Sequence, residues 1–139
     1  MKKPILKLAA SALLLLIVAG CSSSGDKERQ IEAIASHRAT ILSNSLPIEH
    51  GPLTIMQAKA NGHIVELMML YNDDGTISPQ QLMDNSVRYY CTNTDVEGNL
   101  QHGVVYNLKM RSPRGQLLID QVVSLETCEL LNKKNVENK

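Results

Sequence analysis

At 139 residues the chain is long enough for one domain and too short for two. Its charge is balanced, 14 Lys+Arg against 14 Asp+Glu with no basic run, which argues against nucleic acid as a partner. Trp and Phe are absent and Tyr occurs four times, so the core must be built from Leu, Ile, Val and Met.

The chain opens like a secretory signal. Lys2, Lys3 and Lys7 stand in front of an apolar run, Leu8 to Ala19, which closes on small residues just before Cys21. That run of 12 residues is well short of the roughly 20 needed to cross a bilayer as a helix. Val18-Ala19-Gly20-Cys21 resembles the lipobox of bacterial lipoproteins. The resemblance implies lipidation of Cys21, removal of residues 1–20, and Cys21 as the new N-terminus. Several acyl chains anchor stably where one binds only marginally. The sorting rules of such lipoproteins disfavour outer-membrane export chiefly when Asp follows the cysteine, and here Ser22 follows it. The outer membrane, reached through a lipid anchor and facing the periplasm, is the implied location. The alternative is an ordinary secreted protein whose first thiol is incidental. Loss of residues 1–20 removes three lysines and no acid, leaving 11 basic against 14 acidic side chains, a net charge of −3.

Residues 21–25 are expected to be an acylated cysteine and a short flexible tether, followed by a single domain over 26–130. From Asp26, a plausible N-cap, the pattern is helical, with Ile31, Ile34, Ala35, Ile41 and Leu42 on one face and Glu28, Arg29, Glu32 and Arg38 facing elsewhere. The helix should stop by Leu46, because Pro47 disfavours a helical residue before it. Pro47 to Pro52 reads as a connection. Two strand-like runs follow, Leu53–Ala60 and His63–Tyr71, joined by Asn61-Gly62, a strong hairpin signal. The second run is apolar on both faces. Val65, Leu67, Met69 and Tyr71 line one; Ile64, Met68 and Leu70 line the other, with only Glu66 polar. Such a strand needs a cover on both sides: one long helix over each, or one side left partly open as a groove.

Ser78-Pro79-Gln80-Gln81 marks a second helix, with Ser78 as N-cap, Pro79 in the first turn and Gln81 completing a capping box. Its apolar face is Leu82, Met83, Val87 and Tyr90, with Cys91 at its end. Thr92 to Gly103 is polar and reads as irregular, with room for a short helical turn. A second hairpin follows, Val104–Arg111 and Gln116–Leu125, turning at Ser112-Pro113-Arg114-Gly115. Residues 131–139 read as a flexible tail. Two cysteines remain after Cys21, and an even pair in an exported chain reads as a disulfide, Cys91 to Cys128. Free thiols or half a metal site are the alternative. The loop so closed, about 38 residues, corresponds to roughly 4 kcal/mol in the chain-entropy model. The fold class is therefore α+β, with a mainly antiparallel sheet of four to five strands in two hairpins, two main helices and one disulfide.

No chemistry emerges from the motifs. His37, His50, His63 and His102 are scattered singly, without the spacing of metal ligands. There is no Gly-x-Ser-x-Gly elbow, no phosphate loop and no Cys-x-x-Cys pair. Asp73-Asp74 sits in Asn-Asp-Asp-Gly, which is turn chemistry. No enzyme, cofactor or metal is expected. What remains is apolar surface. Methionine suits surfaces that grip partner helices as well as cores, so Ile64, Met68 and Leu70 are the candidate lining of a groove for a helix from another protein.

Several features together resemble one family. They are Ser45-Leu46-Pro47-Ile48 after the first helix, the Asn-Gly hairpin, Tyr89-Tyr90-Cys91 closing the second helix, the turn from Met110 to Gly115, and Thr127-Cys128. From about Gln30 to Cys128 the chain resembles the AspS/YghG-type pilotins (the GspS-beta family) of type II secretion systems. The resemblance implies an acylated chaperone that binds the C-terminal peptide of a secretin and rides the lipoprotein sorting machinery to the outer membrane. There the secretin assembles its channel, and no reaction is catalysed. The rivals are a lysozyme-type inhibitor and an envelope scaffold. Both would be small periplasm-facing lipoproteins.

Overall fold

The computed structural model describes residues 23–137; the expected signal peptide and Cys21 lie outside the described residues. Within them run α1 (Ser23–Ser43), β1 (Ile48–His50), β2 (Leu53–Asn61), β3 (Ile64–Tyr71), α2 (Pro79–Thr92), α3 (Thr94–Gln101), β4 (Val105–Arg111), β5 (Leu117–Val123) and α4 (Leu125–Glu137). The strands form one sheet in chain order, β1-β2-β3-β4-β5. β3 and β4 are parallel, and every other pair is antiparallel. A parallel pair needs a crossover, and α2 with α3 provide it. The α+β class and the Cys91–Cys128 disulfide are both present, the bond spanning Cα atoms 5.3 Å apart.

Alternation along the two central strands builds the core. Val65, Leu67, Met69 and Tyr71 of β3 and Tyr106, Leu108 and Met110 of β4 all point to one face and are buried there. Ala35 and Ala39, one turn apart on α1, present so little side chain that the helix lies close over β2 and β3. Ile41, expected among them, is 44% exposed. Six residues beyond Ala35, it has rotated about 120° off the inner face. The end of α1 is fastened to the sheet by the Ser43 hydroxyl, which donates to the Ala58 carbonyl at 2.7 Å.

Several local expectations are corrected. Residues 23–25, expected as tether, belong to the first turn of α1, and Asp26 lies inside that turn rather than capping it. It still sits where the helix dipole favours an acid. The expected connection from Pro47 to Pro52 contains β1, which begins once Pro47, in a cis bond, is passed, and which pairs with β2. The first long hairpin turns at Gly62-His63, one residue later than predicted. Asn61 pairs with Ile64, and Gly62 takes the positive φ (59°) at the first turn position. The second turn stands as expected: the Gly115 N–H donates to the Ser112 carbonyl at 2.8 Å, with φ 83° at Gly115.

The capping box of α2 forms as predicted between Ser78 and Gln81. The polar stretch after it is a true helix, α3. Asn93 caps it by accepting from the Asp95 and Val96 N–H groups, and Val96 and Leu100, four apart, are its buried residues. The tail is helical too. Ser124 and Thr127 cap α4 reciprocally, each side-chain oxygen accepting from the other's N–H. The disulfide at Cys128 fastens its first turn, and Lys134 stands in its last.

Candidate partner-binding surfaces

Two surfaces could receive a partner. The first is the sheet face opposite the helices. Ile64, Met68 and Leu70 lie half-buried on the other face, where their neighbours Gln57 and Lys59 of β2 and Asp120 and Val122 of β5 are exposed. Of the two arrangements left open by the sequence, a helix over each face of β3 or one face partly open, the structure has the open one. A single parallel pair bordered by antiparallel strands can leave one face to solvent. The register sets polar groups beside the three residues. Glu66 is flanked by Lys59 of β2 and Asn107 of β4, and Met68 by Gln57 and Lys109. The Glu66 carboxylate meets the Lys109 and Lys59 ammonium groups at 3.4 Å and 3.6 Å and accepts from the Asn61 amide. Burial is the largest single influence on this carboxyl and raises its pKa. The bonds from Asn61 and Lys109 and the two lysine charges together outweigh it, and the net shift is downward.

The second surface is a seam on the helical side. α1 packs over β2 and β3, and α2 against β5, α3 and α4. Ile34, Arg38 and Leu42, each four residues apart on α1, form a half-buried row on its flank. On α2 the partly buried apolar residues are Leu82, Val87, Tyr90 and Cys91. The Tyr90 ring packs edge-on against Tyr106, centroids 5.1 Å apart, and the Tyr106 hydroxyl accepts from the Asn99 amide at 2.9 Å. Burial, followed by the neighbouring Tyr106, pushes the Tyr90 hydroxyl far above the ordinary tyrosine range, while Arg38 opposes the shift.

Sequence reasoning placed Arg38 on the solvent side of α1. It is instead half-buried, and its Nε is enclosed without a hydrogen-bond partner. A signal was present: its helical neighbours at three and four residues, Ile34, Ala35, Ile41 and Leu42, are all apolar. The other polar candidates are accounted for locally. Asp73 accepts from the Gly75 N–H and Asp74 from the Thr76 N–H, and Tyr71 donates to the Ile77 carbonyl at 2.7 Å to hold that loop. Among the described residues no cluster of His, Cys, Asp and Glu could hold a metal.

A one-sided α+β sheet with a stapled C-terminal helix defines a small scaffold that offers surfaces for binding. Its family follows from sequence. Residues 27–128 match the family model of the type II secretion system pilotin, S protein, and the chain belongs to that family. Among solved structures it is similar to the pilotin EpsS of the Vibrio vulnificus type 2 secretion system, at 47% identity and TM-score 0.71, over 75% of this chain and 96% of that one. It is also similar to the Vibrio cholerae type II secretion pilotin AspS, at 41% identity and TM-score 0.72, over 77% of this chain and all (100%) of that one. A protein of Pseudomonas aeruginosa shares the fold at 13% identity and TM-score 0.64, over 78% of this chain and 99% of that one. Comparison with curated protein sequences returns no match.

Proposed function

We propose that this type II secretion pilotin binds the C-terminal segment of its secretin and escorts it to the outer membrane for channel assembly. Lipidated Cys21 would be the anchor, and the lipoprotein sorting machinery the transport route. The observation that carries this reading is the pilotin family match across residues 27–128. The segment is assigned, as a helix, to the helical side of the sheet along the half-buried Ile34–Arg38–Leu42 row of α1. The open sheet face, with Ile64, Met68 and Leu70, is the second seat. Its half-buried apolar residues favour it, and its Lys59–Glu66–Lys109 row counts against it.

The test is calorimetric titration of the purified protein with a peptide from the C-terminus of the secretin of the same system, with circular dichroism to follow helix formation. Tight one-to-one binding with induced helix is expected. No binding at high micromolar peptide would sink the escort reading. Leu42→Asp should abolish binding and Met68→Asp leave it intact; the reverse would move the seat to the open face.

A further inference from the structure

We propose that the end of the domain from which α1 starts docks on the phospholipid surface, where Lys27 and Glu28 take the phosphate and the ammonium group of an aminophospholipid headgroup. This rests on Cys21 being the lipid anchor. α1 begins at Ser23, two residues past Cys21. Whatever course the chain takes there, three residues reach at most about 11 Å, so Ser24 cannot lie further than that from the anchor. A hollow of about 350 Å³ opens at this end, lined by Ser24, Lys27, Glu28 and Ile31 of α1 and by His63 and Gly103. Ser24, Lys27 and Ile31 follow one another at three- and four-residue spacing, on one face of the helix. Gly103, with φ 97°, closes the floor; a Cβ there would stand 3.1 Å from the Ile31 Cδ1. The far wall is fixed as well, since the Val105 N–H donates to the His63 carbonyl at 3.1 Å.

Lys27 and Glu28 are exposed, and neither forms an ion pair among the described residues. The charges beside them are engaged: Asp26 pairs with Arg29, and the Glu32 carboxylate lies against Gly62 in the β2–β3 turn. The hollow therefore presents one cation and one anion side by side. A site of single sign selects an anionic lipid, whereas a lysine next to a glutamate selects a headgroup that carries both charges. The Lys27 ammonium donates to a phosphate oxygen, and the Glu28 carboxylate accepts from a primary ammonium, so both contacts are charge-assisted. A quaternary ammonium has no N–H to give Glu28. An exposed ion pair is weak by itself. Here the anchor holds the hollow against a surface of headgroups, and the contact forms at high effective concentration. Acyl chain and headgroup together fix an orientation that a single attachment leaves free. The Ile34–Arg38–Leu42 row then lies roughly 16 to 28 Å along α1 from its anchored end, clear of the bilayer and open to a partner.

The experiment uses the full, lipidated chain in vesicles of phosphatidylethanolamine and phosphatidylglycerol that carry a headgroup-attached quencher. A fluorophore is placed at Asn61→Cys, beside the β2–β3 turn, or at Asn72→Cys, just past the other end of β3. The Asn61 label should be strongly quenched and the Asn72 label, about 26 Å away along the strand, hardly at all. Lys27→Gln and Glu28→Gln should each lower the ratio of docked to free domain about two- to fivefold. Neither should move the melting temperature, because both side chains are exposed and unpaired. Replacing phosphatidylethanolamine by phosphatidylcholine should act as Glu28→Gln does and leave that variant nothing further to lose. The proposal is overturned if the two labels are quenched equally, if both variants match the parent, or if phosphatidylcholine serves as well as phosphatidylethanolamine. It is also overturned if the secretin peptide alone changes the Asn61 label as vesicles do, which would give the hollow to the peptide. A chain that does not float with the vesicles removes the anchor and this inference together, whereas flotation with equal quenching removes the inference alone.

Discussion

The two faces of β3 carry similar side chains and meet opposite fates. Val65, Leu67, Met69 and Tyr71 are at most 4% exposed, whereas Ile64, Met68 and Leu70 remain half-buried with Glu66 among them. Hydrophobicity does not separate the two sets. Topology does, because α1 and the α2–α3 crossover both lie on one side of the sheet. Strand alternation decides which residues share a face, and the connections decide which face acquires a cover. The covered side gains its stability from packing and a covalent staple. The open side is held by cross-strand pairs, each worth little by itself.

Breaking the staple should have the largest effect. Among the residues of α4 only Cys128 is buried, so the helix depends on its bond to Cys91. Replacing both cysteines by Ala should cost about 4 kcal/mol for a loop of this length, read as the shift in a urea or thermal transition. An unchanged midpoint after reduction would show that the covered side holds without it. The contrast between the faces is sharpened by truncating neighbours. Leu67→Ala, beneath the helices, should lose about 2–5 kcal/mol, whereas Met68→Ala, one residue on, should lose less than about 1 kcal/mol. Equal losses would mean that the open face is covered in solution.

The sequence displayed the covered side well and the rest unevenly. β3, β4 and the Ser78–Gln81 box carried their own signals, since alternation and capping are local. The two short helices did not. α3 buries only Val96 and Leu100 in an otherwise polar stretch, and α4 is capped by Ser124 and Thr127 without the acid that usually marks a capping box. β1 has three residues and exists because β2 lies beside it, which is a tertiary cause. At the site, Ile64, Met68 and Leu70 were legible as a face, but what stood over them was not. Arg38 was hidden for the opposite reason. Its charge argues for solvent, and only the packing of α1 turns it inward.

The smallest effect probes the open side. A carboxyl whose folded pKa lies below its ordinary 4.5, as that of Glu66 does, contributes stability above that value and loses it as pH falls through the folded pKa. The cause can be divided. Burial works against the charge, while Asn61, Lys109 and Lys59 favour it by more. Glu66→Gln keeps the side-chain length and removes only the charge. At pH 7 it should cost under about 1 kcal/mol, since Lys59 is well exposed and ion pairs of this kind are screened by solvent. The difference between parent and variant, measured by urea unfolding, should shrink in high salt and fade as pH falls from 4.5 through the lower folded pKa. A difference that survives both would assign Glu66 to packing, and the open side would then be held in the same way as the covered one.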